Sequence, residues 1–335
     1  MARMKYFLTV LVLFCTLSAG AQDAMFSQFY AAPLYTNPAL AGAVKCGRFS
    51  VNYRNQWSMV PGAFSSVNAS YDQHIDGISG ALGAVITNLR EGNGAYSTTN
   101  VGGIYSYNFQ VNDVFSIKTA IQASFVNRRV DWSNLHFPDE YHAQLGFQPG
   151  GSGEPLPNTP ISKNYADFST GIIGYSEDFY AGFAVHHLST PNEAFTKGGV
   201  AKLPMKYTVH AGAVIDLQPK QRRFRDANAP TISPNIIYQQ QGTAQQINYG
   251  VYVNNIVQSV IFGLWYRQTI AFNQPESLTF LVGIRHNALS AGYSYDLSIS
   301  KLHRVSGGSH ELSVGYVLPC PTPKVKIKKI NCPSF

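Results

Sequence analysis

The sequence predicts an all-β protein, built as a single 14-stranded antiparallel transmembrane β-barrel with an N-terminal plug-like segment. Three observations lead to this prediction. Apolar and polar residues alternate with a period of two along most of the chain, which is the pattern of strands with two unlike faces. Only 13% of the residues are charged, against about 25% in soluble domains. Long and short connections also alternate between the expected strands.

Residues 1–21 predict a cleaved signal peptide, which makes this an exported protein. Arg3 and Lys5 precede an apolar run over residues 6–17. That run is too short for a transmembrane helix, which needs about 20 residues. Ala19-Gly20-Ala21 then supplies the small residues of a cleavage site.

Residues 22–45 form a segment ahead of the first strand and leave two alternatives open. Pro33 and Pro38 interrupt regular strand pairing. Its many apolar and aromatic side chains indicate that it either folds back into the barrel lumen as a plug or docks against a partner. The plug is the favoured interpretation. The side chains in question are Met25, Phe26, Phe29, Tyr30, Leu34, Tyr35 and Leu40.

Residues 46–319 contain the expected barrel. Its alternation is clear in 206–217, where Tyr207, Val209 and Ala211 are separated by polar or small residues. An even number of strands places both ends of the barrel on the periplasmic side. The expected strands are 47–56, 63–74, 79–90, 96–109, 114–130, 165–176, 179–188, 205–217, 231–239, 245–254, 259–270, 277–286, 289–300 and 309–318.

The connections between these strands favour a membrane barrel over an exported β-sandwich, which periodicity alone does not exclude. The long connections 131–164 and 189–204 both fall on the outer side, whereas 177–178 and 287–288 are short periplasmic turns. Outer-membrane barrels have this asymmetry. The connection 218–230 is the exception, because it is long for a periplasmic turn.

Several stretches resemble one family. Residues 26–42 read FSQFYAAPLYTNPALAG, residues 53–57 read YRNQW, and residues 292–296 read GYSYD. In order and spacing they resemble the PorP/SprF outer-membrane proteins of the type IX secretion and gliding systems of Bacteroidota. The resemblance implies a component that binds a secreted surface protein with a C-terminal sorting domain and helps deliver or anchor it. It also implies contacts with periplasmic or lipoprotein components of the secretion machinery, and a location in the lipids of the outer membrane.

Two questions about the function stay open at this point. Members of the family differ in whether they serve the core secretion machinery or one dedicated cargo. A different function, a channel or transporter for small or apolar solutes, is the second hypothesis for a barrel of this kind.

The candidate partner-binding residues lie at both ends of the barrel. Exposed aromatic residues are typical of protein interfaces. Basic clusters attract acidic partners, although the alternative for these clusters is an ordinary solvated surface. The outer candidates in the loop 131–164 are Trp132, Phe137, Tyr141 and Phe147. The periplasmic candidates are Arg222, Arg223 and Arg225, together with Lys328 and Lys329 of the basic tail 320–335.

No enzyme, cofactor or metal site is expected. His186 and His187 are successive residues of one strand, so their rings should point to opposite faces. The expected lumen carboxylates are interpreted as ion-pair partners rather than acid/base catalysts. The formal net charge of +7 is spread too thinly for nucleic-acid binding. The expected carboxylates are Asp72, Asp216, Asp296 and Glu311, and the expected partners are Lys118, Lys206, Arg267 and Arg285.

Removal of the signal peptide leaves Cys46, Cys320 and Cys332. An exported chain meets oxidising conditions, so a disulfide is expected. Cys46 and Cys320 flank the first and last strands, which are neighbours in a closed barrel, and this pairing is favoured. Cys320–Cys332 is the alternative.

Overall fold

A closed antiparallel β-barrel of 14 strands extends from Arg48 to Val317. The structure is a computed structural model. It describes residues 23–135, 137–142, 144–148, 153, 160–196, 198–217, 229–257, 259–270, 274–300 and 303–319. The strands are β1 Arg48–Gln56, β2 Phe64–Ile75, β3 Gly80–Glu91, β4 Tyr96–Gln110, β5 Ser116–Val130, β6 Ile161–Tyr175, β7 Phe179–His186, β8 Lys206–Ala213, β9 Thr231–Gln241, β10 Ala244–Asn254, β11 Val260–Thr269, β12 Gln274–His286, β13 Leu289–Ser298 and β14 Ser309–Val317.

Each strand pairs with its neighbours in sequence, and β1 pairs with β14 to close the barrel. In that closing pair Arg48 lies opposite Val317, and Gln56 lies opposite Ser309. Closure leaves no strand edge unpaired, which is the requirement for a sheet surrounded by lipid. The predicted fold class and strand number are therefore confirmed.

Two strands differ by four residues from an expected boundary, and the shifts in the others are smaller. β6 begins at Ile161, four residues earlier than expected, because it continues its pairing with β5 as far as Val130. β8 ends at Ala213. The Val214 N–H donates to the Asp178 carbonyl of the preceding turn (2.7 Å), and pairing with β9 resumes only at Ile215–Asp216.

The two faces of the barrel wall have opposite character. On β1, Val51 is 47% exposed on the outside, whereas its neighbour Asn52 is fully buried in the lumen. The same alternation runs through the other strands, with apolar side chains outside and mainly polar or small ones inside. This is the arrangement of a barrel whose outer surface contacts lipid.

The two ends of the barrel differ in their connections. The long connections after β5 and β7 lie at one end, here called the outer end. The start of β1 and the end of β14 lie at the other, the inner end, which faces the periplasm in barrels of this type. Within the described residues, no helix is long and apolar enough to cross a membrane. The short elements outside the wall are the 3-10 turns Asp76–Ile78, Gly92–Gly94, Trp132–Asn134 and Pro138–Glu140, the hairpin Tyr141–His142 with Gly146–Phe147, and the helical turn His303–Ser306.

Residues 23–45, hereafter the plug, lie inside the barrel, as the favoured interpretation predicted. A helical turn at Pro33–Thr36 is followed by a 3-10 turn at Pro38–Leu40. Proline suits the first position of each turn, because its missing N–H would have no partner there. Leu34 is fully buried and packs among wall residues that include Val85, Ile104 and Ile173. The apolar core of the molecule thus lies between the plug and the wall.

Candidate functional site

Four charged side chains from separate strands meet inside the lumen. Arg54 of β1 forms ion pairs with Asp296 of β13 (2.8 Å) and with Glu311 of β14 (3.3 Å). Arg267 of β11 approaches Asp296 from the other side (3.5 Å). Burial of a charge is costly unless it is paired and hydrogen-bonded. Two cations and two anions balance one another here, and we call these residues the four-charge cluster.

The plug binds directly to the four-charge cluster through Ser27. The Ser27 hydroxyl donates to Asp296 (2.6 Å) and accepts hydrogen bonds from Arg54 (2.8 Å) and Arg267 (2.7 Å). Its backbone N–H donates to Glu311 (2.7 Å). Hydrogen bonds to charged groups are stronger than neutral ones, so this serine is a principal anchor of the plug.

Gln28 extends this anchor to the adjacent wall. Its backbone N–H donates to the Glu311 carboxylate (3.1 Å), and its side-chain amide donates to the Glu311 carbonyl (3.0 Å). The amide oxygen accepts a hydrogen bond from Ser313 (2.6 Å). Ser27 and Gln28 were part of the family-like stretch 26–42, but only the structure assigns them these partners.

A second anchor holds the start of the plug near the outer end. His187 donates from Nε2 to Asp23 (2.8 Å) and from Nδ1 to Asp167 (2.8 Å). Lys206 also lies near the Asp23 carboxylate (3.4 Å). Burial disfavours the charged ring of His187, but the two carboxylates outweigh this effect and raise the pKa of His187 to about 9. The ring is therefore a cation at neutral pH.

The two adjacent histidines do not point to opposite faces, as the sequence had indicated. His186 and His187 are both buried, with ring centroids 6.4 Å apart. β7 ends at His186, and His187 has a φ of 59°. Successive side chains point to opposite faces only within a strand, and His187 lies in the turn after it. Its ring therefore points into the lumen, where it contacts Asp23.

The middle of the plug is held by Asn37. Its side-chain amide donates to the carbonyls of Ile172 (3.2 Å) and Phe183 (3.4 Å) and contacts His210 Nε2 (3.0 Å). A Cβ at Gly171 would lie only 2.0 Å from the Asn37 side-chain oxygen. The absence of a side chain at Gly171 therefore makes room for the plug.

The inner end of the plug is held by Asp72 and Lys118. The Gly42 N–H donates to Asp72 (2.7 Å), which also pairs with Arg48 (2.9 Å). Lys118 donates to the carbonyls of Ala41 (3.2 Å) and Gly42 (2.8 Å). Ion pairs of three of the expected lumen carboxylates, Asp72, Asp296 and Glu311, are thus present, although most of the partners differ from those expected. Asp296 does pair with Arg267, whereas Asp72 and Glu311 use Arg48 and Arg54 instead.

The four outer candidate residues all lie in the loop after β5, but only two are exposed. Tyr141 and Phe147 face each other across the short hairpin, with ring centroids 5.1 Å apart, and Tyr141 is 61% exposed. Trp132 and Phe137 are half-buried, beside the turns that precede the hairpin. Arg222, Arg223, Arg225, Lys328 and Lys329 lie outside the described residues.

Cys46 forms a disulfide. It is the only cysteine among the described residues, so its partner lies beyond them and the pairing with Cys320 stays a prediction. The neighbouring backbone agrees with that pairing, because the Leu318 N–H donates to the Gly47 carbonyl (2.7 Å).

Residues 18–316 match the family described as "Type IX secretion system membrane protein PorP/SprF". The chain belongs to the PorP/SprF family. With its barrel fold, this places the protein in the outer membrane as a membrane component of type IX secretion. A search of curated proteins finds no match for this PorP/SprF protein.

Solved outer-membrane structures are similar to this PorP/SprF chain. The toluene transporter TbuX of Ralstonia pickettii has a TM-score of 0.50 at 11% identity, with 89% of this chain and 95% of that chain covered. The toluene transporter TodX of P. putida has a TM-score of 0.49 at 8% identity, with 84% and 93% covered. At 11% identity the likeness to TbuX shows the barrel fold alone.

Proposed function

We propose that this PorP/SprF barrel binds a secreted surface protein at its outer end and helps to deliver or anchor it. In this proposal the inner end contacts periplasmic or lipoprotein components of the secretion machinery, and the protein catalyses no reaction. The observation that carries the proposal is the plug, which occupies the lumen and is anchored to the wall through Asp23, Ser27 with Gln28, Asn37 and Gly42. A barrel filled in this way is suited to work through its two ends.

The outer hairpin supports the cargo-binding part of the proposal. Tyr141, Leu145 and Phe147 expose apolar surface in the loop after β5, outside the lipid-facing wall. Aromatic residues are enriched at protein interfaces because they bury a large area with little loss of conformational freedom. We propose this hairpin, with Trp132 and Phe137 behind it, as the contact for the secreted protein.

The inner turns support a periplasmic contact. Val111 and Val114 are exposed in the turn between β4 and β5, and Ile256 and Val257 in the turn between β10 and β11. These turns lie outside the membrane, so lipid does not cover their apolar side chains. Exposed apolar residues at such a place indicate a protein partner. We propose that the basic residues Arg222, Arg223, Arg225, Lys328 and Lys329 add electrostatic attraction for an acidic partner at this end.

Deletion of the gene, followed by comparison of the proteins on the cell surface, tests the proposal. We expect at least one large secreted protein to be lost or mislocalised, and the wild-type gene to restore it. A Tyr141→Ser/Phe147→Ser double variant should restore it poorly, whereas His142→Ser in the same hairpin should act as wild type.

Two results would count against this function. Normal levels of all surface proteins in the deletion strain would remove the basis for cargo delivery. A change confined to the uptake of an apolar solute would favour the transporter hypothesis instead.

A further inference from the structure

A cavity of about 320 Å³ lies between the plug and the wall near the inner end of the barrel. Gln28, Tyr30 and Ala31 of the plug line one side. Asn287, in the turn after β12, and Val317, at the end of β14, also line it, so the cavity reaches the periplasmic end. Its volume falls within the range of small-molecule sites, roughly 300–1,000 Å³.

The wall leaves this space because its lumen-facing residues are small. Gly283 of β12 lies opposite Gly292 of β13, and Ser290 of β13 lies opposite Gly315 of β14. Small residues by themselves create only volume. The charges and the apolar residues around that volume decide which kind of ligand it can bind.

The charge of the cavity is positive and unbalanced. Arg48 and Arg285 line it, and among the described residues no aspartate or glutamate does. Arg48 is paired with Asp72. Arg285 is half-buried and makes no ion pair or side-chain hydrogen bond within the part of the chain that the structure describes.

The other lumen arginines in the described part of the chain are paired, which makes Arg285 distinctive among them. Arg54 and Arg267 share Asp296, and Arg128 pairs with Glu193. A guanidinium in a partly buried site is costly to leave without an anion. Arg285 is therefore suited to a negatively charged ligand.

The floor of the cavity is apolar. Tyr252, Ile261 and Leu281 project from β10, β11 and β12, and Tyr252 packs edge-on against Tyr30 of the plug (ring centroids 5.9 Å). A ligand that fills the cavity therefore meets a cation at one position and a hydrocarbon surface at another.

We propose that this cavity binds an amphiphile with an anionic head and an acyl or alkyl chain. The head, a carboxylate or a phosphate, contacts Arg285, and the chain lies against Tyr252, Ile261 and Leu281. The ligand touches the plug and the wall at once, so its binding stabilises the plug in the lumen. This inference does not depend on the identity of the cargo.

Calorimetric titration of the full chain in nanodiscs of zwitterionic lipid, with empty nanodiscs subtracted, tests the proposal. The probes are decanoate, decyl phosphate and decanol at pH 8. We expect saturable binding of at least one anion. Decanol should bind at least about tenfold more weakly than that anion, because a charged hydrogen bond is lost. The tighter anion identifies the head group. The bound anion should also slow hydrogen exchange in residues 28–31.

Two variants separate charge from volume. Arg285→Gln should weaken anion binding by about tenfold and leave decanol unchanged, whereas the exposed Arg90→Gln should change neither. Ser290→Leu fills the cavity and should weaken the binding of all three probes. Folding of each variant is checked by the gel shift between unboiled and boiled samples.

Three results would overturn the proposal. These are no saturable binding of either anion, equal affinity for decanol and the anions, or unchanged anion affinity in a folded Arg285→Gln variant. The comparison of decanol with the anions uses the wild-type protein, so it decides the question even if a variant fails to fold.

Discussion

Arg54 is the residue on which the four-charge cluster depends. It is 2% exposed and binds both carboxylates as well as Ser27 of the plug. Arg54 lies in the family-like stretch 53–57, but the sequence did not predict its role as a lumen cation. Its partners were not predictable, because Glu311 lies 257 residues away in sequence and reaches Arg54 only through barrel closure.

We expect Arg54→Met to destabilise the barrel by about 3–5 kcal/mol, because it leaves Asp296 and Glu311 buried with Arg267 as their only arginine. The measurement is the free energy of unfolding in denaturant, with the exposed Arg90→Met as the control. An Arg54→Met/Glu311→Met double variant should recover part of the loss. Equal stability of Arg54→Met and Arg90→Met would show that the cluster does not hold the fold.

His187 gives the outer anchor a pH dependence. Its pKa is raised from 6.5 to about 9, since Asp23 and Asp167 outweigh the effect of burial. A raised pKa means that the protonated ring is stabilised by folding. That stabilisation is complete below about pH 6.5 and is lost as the pH rises through about 9.

The prediction is tested by the difference in unfolding midpoint between wild type and His187→Gln. We expect a large difference at pH 6 and a small one at pH 10. Taking the difference at each pH removes the effect of pH on the rest of the molecule. A difference that stays constant from pH 6 to pH 10 would contradict the assigned charge.

Strand alternation predicted the barrel wall well, because each strand separates lipid from lumen and this requirement is local. Local pattern could not predict the break at Val214, whose N–H is taken by the carbonyl of Asp178 in the neighbouring turn. It also could not predict that the rings of His186 and His187 both point into the lumen. The plug was expected from its aromatic content, but its path follows from Ser27, Asn37 and Gly42, whose partners are distant in sequence.

The fit between the plug and β6 gives a prediction for Gly171. We expect Gly171→Ala to displace Asn37 and to cost about 1–3 kcal/mol, because the new methyl group overlaps its side-chain oxygen. Hydrogen exchange of residues 23–45 should become faster. Gly103→Ala is the matched control, since a Cβ there meets nothing within 4 Å. Equal exchange in the two variants would mean that Asn37 does not hold the plug.

Closure of the barrel and the buried anchors of the plug predict resistance to detergent. Every strand is paired on both sides, so the folded barrel should persist in cold sodium dodecyl sulfate. Unboiled protein should migrate faster than boiled protein on a gel, because the folded form is more compact. Identical migration of the two samples would argue against a closed barrel.

Site-specific photo-crosslinking tests whether the outer hairpin binds a secreted protein. A photoreactive amino acid replaces Tyr141 in living cells, and a second strain carries it at the lipid-facing Val51 as the control. We predict that Tyr141 crosslinks to a large secreted surface protein and that Val51 does not. Crosslinks to the same proteins from both positions, or no secreted protein at Tyr141 while surface delivery proceeds normally, would show that the hairpin is not the contact for the secreted protein.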